Sequence, residues 1–162
     1  MKNCAYLDIE TTGLSPFHSD LTVIGIYKEN GNDSLVMQLV GDDISAGSLI
    51  TAMGSVTKLY TYNGSRFDLP FIKAKLNIDL TECCNHEDLM YACWKRNLRG
   101  GLKSVERQLG ITRESTDIDG WIAVQLWWDY VNNGDREALA ALLKYNEEDV
   151  VNLRVLRERL GV

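Results

Sequence analysis

A long amphipathic stretch close to the end of the sequence, residues 136–160, places one carboxylate among its leucines. At about 100° per residue the apolar side chains of this stretch form one stripe along a helix: Leu139, Leu142, Leu143, Val150, Leu153, Leu156 and Leu160. Asp149 falls inside the stripe, roughly 20° from Leu142 and Leu156. A carboxylate on a buried face costs free energy unless it has a partner. The helix must therefore pack on an element that supplies one.

Two neighbours of Asp149 extend this feature. Tyr145 lies four residues earlier, one helical turn away on the same side. The pair favours either an interhelical hydrogen bond or a place in a catalytic site. Glu147 and Glu148 fall outside the stripe, where solvated acids are expected.

The first apolar run, residues 5–9, carries two acids spaced two residues apart, Asp8 and Glu10. Side chains of a strand alternate faces, so both acids point the same way, roughly 6.5 to 7 Å apart. Carboxylates on a sheet are costly without compensation, and a divalent cation is the simplest compensation. The alternative is a pair of solvated acids at the end of a strand.

The rest of the sequence predicts an α/β fold. Strands at 21–27 and 34–40, joined by a turn at Asn30–Asp33, extend the first strand into an antiparallel three-strand meander. The chain then alternates, which predicts further strands that complete a mixed five-stranded sheet flanked by helices. The remaining predicted strands are 58–62 and 79–81, and the predicted helices are 43–53, 69–76, 87–96, 102–109, 120–131 and 136–160.

A third candidate acid, Asp68, follows the strand at 58–62. Ligands of open α/β sheets collect outside the carboxyl ends of strands, which favours a functional role. The alternative is structural, because Ser65 and Asp68 have the spacing of a helix capping box.

In chain order, three motifs resemble those of the DEDD 3′–5′ exonucleases of the ribonuclease H-like superfamily: Asp8-Ile9-Glu10, Asn63-xxx-Phe67-Asp68 and Tyr145-xxx-Asp149. The tyrosine of the third motif is the DEDDy form, and the histidine branch would need His where this chain has Lys144. Residues 101–110 and 145–150 are also similar to the YprB-like group of predicted exonucleases.

The resemblance implies a ribonuclease H-like fold and hydrolysis of phosphodiester bonds from the 3′ end of nucleic acid, releasing nucleoside 5′-monophosphates. It implies that two divalent cations, Mg²⁺ or Mn²⁺, are held by four acids: Asp8, Glu10, Asp68 and Asp149. Such a pair of cations can clamp the attacking and leaving oxygens of a phosphodiester. Tyr145, whose ordinary pKa is near 10, is a poor base at neutral pH and is expected to aim a water molecule.

The resemblance also implies where the 3′ end of a single strand binds. Thr11, Thr12 and Leu14 are expected to contact the terminal nucleotide. Asn63 and Phe67 are expected to hold its sugar and base, and aromatic stacking would tolerate any base.

Composition sets further bounds. The 162 residues are predicted to form one domain, 1–162, with a 45% hydrophobic content that suits a globular core. A net charge of −6 disfavours a protein that coats nucleic acid nonspecifically but is compatible with acids gathered around metals.

The N-terminus lacks the pattern of a signal peptide and no apolar run could span a membrane, which predicts a cytoplasmic location. The four cysteines form no CxxC pair, so free thiols are expected rather than zinc.

Alternative functions remain open at this level. A non-catalytic ribonuclease H-like module that binds nucleic acid or protein would be expected to lack one of the acids, and none is missing. A glycosidase with a pair of carboxylates would need no metal. A protein partner could supply substrate binding. Two groups of side chains could contact nucleic acid or serve only as packing and solvated surface: Trp121, Trp127 and Trp128, and Arg96, Arg99, Lys103 and Arg107.

Overall fold

The computed structural model describes residues 3–162, and a mixed sheet of five strands lies at its centre. The strands are β1 (Asn3–Thr11), β2 (Leu21–Asn30), β3 (Asp33–Val40), β4 (Lys58–Thr61) and β5 (Asn85–Asp88). Their order across the sheet is β3-β2-β1-β4-β5. The first three strands are antiparallel, whereas β4 runs parallel to both β1 and β5. The predicted fold class, a meander extended by parallel strands, is confirmed.

Seven α-helices follow or separate the strands within the described residues: α1 (Ala46–Met53), α2 (Asp68–Leu76), α3 (Leu80–Cys83), α4 (Leu89–Trp94), α5 (Leu102–Leu109), α6 (Gly120–Asn133) and α7 (Arg136–Leu160). The bounds of α7 are those that the sequence predicts. Asp135 begins it, because its carboxylate accepts hydrogen bonds from the amides of Glu137 and Ala138. Gly161 ends it in the left-handed conformation, with φ of 66°. No helix within residues 3–162 is long and apolar enough to cross a membrane.

The fifth strand does not lie at residues 79–81, where the sequence predicted it. Asp79 instead caps α3, because its side chain accepts from the amide of Thr81. The strand forms at Asn85–Asp88, beside β4. The helix predicted at 87–96 therefore starts only at Leu89, where Asp88 caps it by accepting from the amide of Met90. Asp and Asn are typical of turns and helix caps and are depleted in strands, so Asn85 and Asp88 give no sign of a strand in the sequence.

Alternation along β1 divides the core into two layers. Ala5, Leu7 and Ile9 pack on one face of the sheet, with α1 and α2. Cys4 and Tyr6 pack on the other face, with α4, α5 and α7. Asp8 and Glu10 follow in the same alternation, so they project toward α7.

The tryptophans of α6 do not share one environment. Trp127 is partly buried against the cluster that joins α6 to α7, as expected for helix packing. Trp121 is 71% exposed and Trp128 is 38% exposed. The packing interpretation therefore holds for Trp127 and is wrong for Trp121.

Candidate metal centre

Three of the four candidate acids meet where β1 faces α7. Oxygens of Asp8, Glu10 and Asp149 all lie within 4.8 Å of one another. Glu10 and Asp149 are buried, whereas Asp8 keeps some exposure. The strand brings the first two side chains to one face, and the apolar stripe of α7 carries the third onto the same face.

Asp68 lies beside this group at the start of α2, and it is buried. Its Oδ2 accepts a hydrogen bond of 3.0 Å from the amide of Ile9, the residue between the two acids of β1. The capping-box interpretation of Asp68 is wrong, since no side chain caps α2. Ser65 instead donates its hydroxyl to Asp88, which also accepts from the amide of Asn63 at 2.8 Å.

Burial raises the pKa of each of the four candidate acids. Desolvation raises the pKa values of Asp8 and Glu10 well above their ordinary range, and the Asp149 carboxylate raises both further. Desolvation raises the pKa of Asp68 to about 7 and that of Asp149 to about 6. Four carboxylates so close together cannot all ionise at neutral pH without a nearby positive charge.

Arg113 supplies one such charge, and the sequence reasoning missed it. Its side chain is only 5% exposed. Its Nη2 donates to Asp149 Oδ1 at 2.5 Å and to Glu106 Oε1 at 2.7 Å, and its Nε donates to Glu106 Oε2 at 2.9 Å. The guanidinium opposes the rise in the pKa of Asp149 that burial causes.

A signal for this ion pair exists in the sequence. Leu102, Val105, Glu106 and Leu109 have the i, i+3, i+4, i+7 spacing of one helix face. Glu106 is therefore an acid in an apolar stripe, the same anomaly that marks Asp149. Nothing comparable marks Arg113, which lies in the irregular segment after α5.

Glu148 does not have the solvated position that the sequence predicts. Its carboxylate accepts from the amides of Glu114 at 2.7 Å and Ser115 at 3.0 Å, so it is not a freely solvated acid. These bonds tie α7 to the segment that carries Arg113. Glu147 is exposed, as predicted.

Asn146 fixes the orientation of Asp8. Its Nδ2 donates to Asp8 Oδ2 at 3.1 Å and to the Asp8 carbonyl oxygen at 3.2 Å, and its Oδ1 accepts from Gln38 at 3.0 Å. Gly25 on β2 lies opposite Asp8 and leaves the space for this amide. A Cβ at position 25 would come within 2.1 Å of Asn146 Oδ1. No pattern in the sequence marks either residue as part of the site.

Tyr145 is buried next to these acids, and Lys103 Nζ lies 4.5 Å from the centroid of its ring. Burial and the Asp149 carboxylate raise the pKa of Tyr145 well above its ordinary value. The phenol therefore keeps its proton at physiological pH and can donate a hydrogen bond. A cavity of about 270 Å³ opens here, lined by Asp8, Tyr62, Gly101, Leu102, Lys103, Asp119, Gly120, Tyr145 and Asp149.

The residues expected to hold a 3′ end have different surroundings. Thr11 donates to the carbonyl of Gly13, and Thr12 accepts from the amide of Asp20, so both hydroxyls order the loop after β1. Leu14 in that loop is 86% exposed. On the other side, Asn63 has a left-handed backbone, with φ of 60°.

Phe67 is partly buried against the core, with its ring centroid 5.6 Å from that of Phe71. Its ring is therefore less free to stack on a base than the sequence interpretation assumed.

The chain is similar to known proteins over almost its whole length. The protein named Uncharacterized protein YprB, of Bacillus subtilis (strain 168), is 28% identical to it over 167 residues. That alignment covers 93% of this chain but only 40% of YprB, so the chain spans less than half the length of this relative.

Solved structures share the fold. The family B DNA polymerase of Pyrobaculum calidifontis aligns with 99% of this chain and 25% of its own, at a TM-score of 0.77 and 15% identity. Brucella melitensis NrnC with bound Mg²⁺ aligns with 99% of this chain and 73% of its own, at a TM-score of 0.64 and 22% identity. NrnC bound to pGG aligns with 99% of this chain and 72% of its own, at a TM-score of 0.64 and 21% identity.

The family model RNase_H_2, described as RNase_H superfamily, matches residues 5–161, a range that contains both β1 and α7. Because that match covers nearly the whole chain, this protein belongs to the RNase_H_2 family of the RNase H superfamily.

Proposed function

We propose that this protein is a metal-dependent 3′–5′ exonuclease of the DEDDy type. It hydrolyses phosphodiester bonds of nucleic acid and releases nucleoside 5′-monophosphates. The observation that carries this proposal is the meeting of Asp8, Glu10 and Asp149 within 4.8 Å, in a fold where α7 also places Tyr145 beside them.

The donor set fits divalent cations such as Mg²⁺ or Mn²⁺. Carboxylate oxygens are the ligands that hard cations prefer. Burial and mutual repulsion raise the pKa values of Asp8 and Glu10, so a nearby positive charge would favour their ionised forms. Asp8, Glu10 and Asp149 would hold the cations, and Asp68 would be the fourth ligand in a two-metal site. The cations would supply Lewis-acid chemistry, activating water and stabilising the departing 3′ oxygen.

The chain's own side chains orient the reacting groups. Tyr145 stays protonated and donates its phenolic hydrogen toward the attacking water, which it aims rather than deprotonates. Asn146 holds the Asp8 carboxylate in place, and Arg113 holds that of Asp149. Positioning of this kind reduces the reorganisation that the reaction needs.

The 3′ end of a single strand would lie between the loop after β1 and the loop after β4. Thr11 and Thr12 shape the first loop, from which the exposed Leu14 can contact the terminal nucleotide. Asn63 and Phe67 belong to the second loop and would contact its sugar and base. NrnC, which shares the fold, has been seen with Mg²⁺ and with pGG, which supports metal and nucleic acid as the ligands of this site too.

The test is a degradation assay with Mg²⁺ or Mn²⁺ on single-stranded DNA, duplex DNA and RNA. We expect at least one substrate to be degraded by the wild type, and the activity to be lost in EDTA and in the Asp8→Ala and Asp149→Asn variants. Asp79→Asn weakens the surface ion pair with Lys73 and keeps the oxygen that caps α3, so it is the matched control and should remain active. Degradation that survives both site variants would contradict the proposal.

A further inference from the structure

Two arginines flank one tryptophan on the surface of the molecule. The guanidinium carbon of Arg99 lies 5.3 Å from the centroid of the Trp94 ring, and that of Arg66 lies 5.9 Å from it. Tyr91 meets the same ring edge-on, at 5.2 Å and 90°. We call these four residues the arginine–tryptophan cluster. Contacts with an aromatic face favour these positions of the two guanidinium groups.

The two charges of the cluster are not used by the fold. Arg66 and Arg99 are both exposed. Within residues 3–162, neither forms an ion pair with a carboxylate, although eleven other basic side chains form ion pairs or donate to backbone oxygens. In a chain whose net charge is −6, the cluster places two positive charges without an acidic partner among the described residues beside one aromatic ring. Such a pair is suited to an anionic partner.

The cluster is connected to the cavity of the metal centre through the chain and through one hydrogen bond. Tyr62 lines that cavity and donates its hydroxyl to the carbonyl of Gly100 at 2.6 Å, which fixes the segment that begins at Arg99. Gly101, two residues after Arg99, lines the same cavity. Arg66 lies in the loop after β4, two residues before Asp68. Both arginines are therefore carried by segments that also form the site.

The chemistry of the cluster matches a nucleic-acid strand. Guanidinium groups bind phosphate oxygens through paired hydrogen bonds. Guanidinium planes and aromatic rings also stack on unpaired bases without regard to sequence. An acidic protein that binds nucleic acid needs some basic surface to receive the phosphates beyond its metal site.

We propose that the arginine–tryptophan cluster binds the part of a single strand that lies on the 5′ side of the terminal nucleotide. This inference rests on the proposed function of the neighbouring site. It adds that strands long enough to reach the cluster are preferred over a dinucleotide, because a dinucleotide has one phosphodiester and no nucleotides further to the 5′ side.

The binding test uses a fluorescent 20-nucleotide single strand, with Ca²⁺ in place of Mg²⁺ to suppress hydrolysis. We expect Arg66→Gln/Arg99→Gln to weaken binding about tenfold at low salt, and to reduce the slope of log affinity against log salt by about 1.4, since each phosphate contact on a single strand contributes about 0.7. Lys73→Gln/Arg136→Gln removes the same charge from exposed positions outside the cluster and is the matched control. An equal loss of affinity in the two double variants would overturn the proposal.

The kinetic test compares kcat/KM for the 20-nucleotide strand with kcat/KM for a dinucleotide. We expect the ratio to fall about tenfold in the cluster variant and to stay at the wild-type value in the control. Arg99→Gln alone should lower the ratio by about threefold. This single variant tests the same prediction if the double variant does not fold. An unchanged ratio, with both substrates hydrolysed, would overturn the cluster proposal and leave the nuclease proposal standing.

The two proposals fail separately. If the wild type degrades neither the strand nor the dinucleotide, and also none of the three substrates of the degradation assay, the nuclease proposal fails, and the salt slope in Ca²⁺ still decides whether the cluster binds a strand. Polyglutamate of similar length serves as a probe for a general polyanion surface. Binding of polyglutamate as tight as that of the strand would contradict recognition by stacking, and so overturn the proposal.

Discussion

Arg113 Nη2 donates to Asp149 Oδ1 at 2.5 Å, so a candidate metal ligand already has a cation bound to one of its oxygens. The same guanidinium is held by Glu106 through two further hydrogen bonds. All three charged side chains are nearly inaccessible to solvent. The arrangement fixes the Asp149 carboxylate and offsets part of the cost of burying it.

Removing the arginine should therefore be severe. Arg113→Met leaves two buried carboxylates without their partner, and we expect a loss of about 3 kcal/mol in the free energy of unfolding. Arg113→Met/Glu106→Leu removes one of those carboxylates and should recover part of the loss. Denaturant unfolding in EDTA measures both. Ordinary surface substitutions change the free energy of unfolding by less than about 0.5 kcal/mol. A change that small in Arg113→Met would contradict this role.

Protons and divalent metal should compete for the same oxygens. The pKa values of Asp68 and Asp149 are raised to about 7 and about 6, so the folded metal-free protein binds protons more tightly than the unfolded chain does. Their contribution to stability is full below the ordinary pKa near 4 and is lost as the pH rises through 6 and 7.

Added metal should reverse this loss. At saturating Mn²⁺ we expect Tm to rise by about 5 °C at pH 8 and by much less at pH 5, where protons occupy the ligands. Thermal melts with and without Mn²⁺ at the two pH values measure the difference. Glu10→Gln is the control in which the rise at pH 8 should shrink. The same rise at both pH values would contradict the assignment.

Gly25 should be intolerant of any side chain. A Cβ at this position lies 2.1 Å from Asn146 Oδ1, so Gly25→Ala must displace the amide that holds Asp8. We expect a loss of about 2 kcal/mol in stability and roughly tenfold weaker Mn²⁺ binding by calorimetry, the lower end of what lost support of a ligand costs.

Gly47→Ala is the matched control. It lies in α1, where a Cβ would lie 4.0 Å from Ser45 Oγ, an ordinary contact, and alanine should add up to about 0.5 kcal/mol through its helix propensity. Equal effects at positions 25 and 47 would show that Asn146 adapts without cost.

Tyr145→Phe separates chemistry from folding. Phenylalanine keeps the buried ring but removes the hydroxyl, so we expect kcat to fall about 100-fold, as for loss of one positioned donor, with Tm nearly unchanged. Tyr27→Phe on β2 is the control and should retain full activity. If Tyr145→Phe also keeps full activity, the phenol has no part in aiming water.

Periodicity was sufficient to predict the elements with long, regular patterns. The bounds of α5 and α7 agree with prediction because apolar residues repeat along one face of each helix. The predicted position of β5 is wrong because residues 79–88 contain several polar residues that also cap helices, and no apolar repeat.

Prediction of the candidate site depended on anomalies in those same patterns. Asp149 and the pair on β1 were visible as acids where apolar residues belong. Arg113, Asn146 and Gly25 were not, since their importance comes from contacts between segments far apart in sequence. The pattern of apolar residues indicates which side of a helix or strand is buried. It does not indicate which side chain, distant in sequence, contacts that side.

The most direct test of the central claim measures from which end a single strand is shortened. A single strand labelled at its 5′ end is incubated with Mn²⁺ and wild-type protein, alongside the same strand with a phosphorothioate at its 3′-terminal linkage. We predict stepwise shortening from the 3′ end, nucleoside 5′-monophosphates as the released products by mass spectrometry, and marked slowing by the 3′ phosphorothioate. Internal cleavage, release from the 5′ end, or equal shortening by Asp149→Asn would contradict the account.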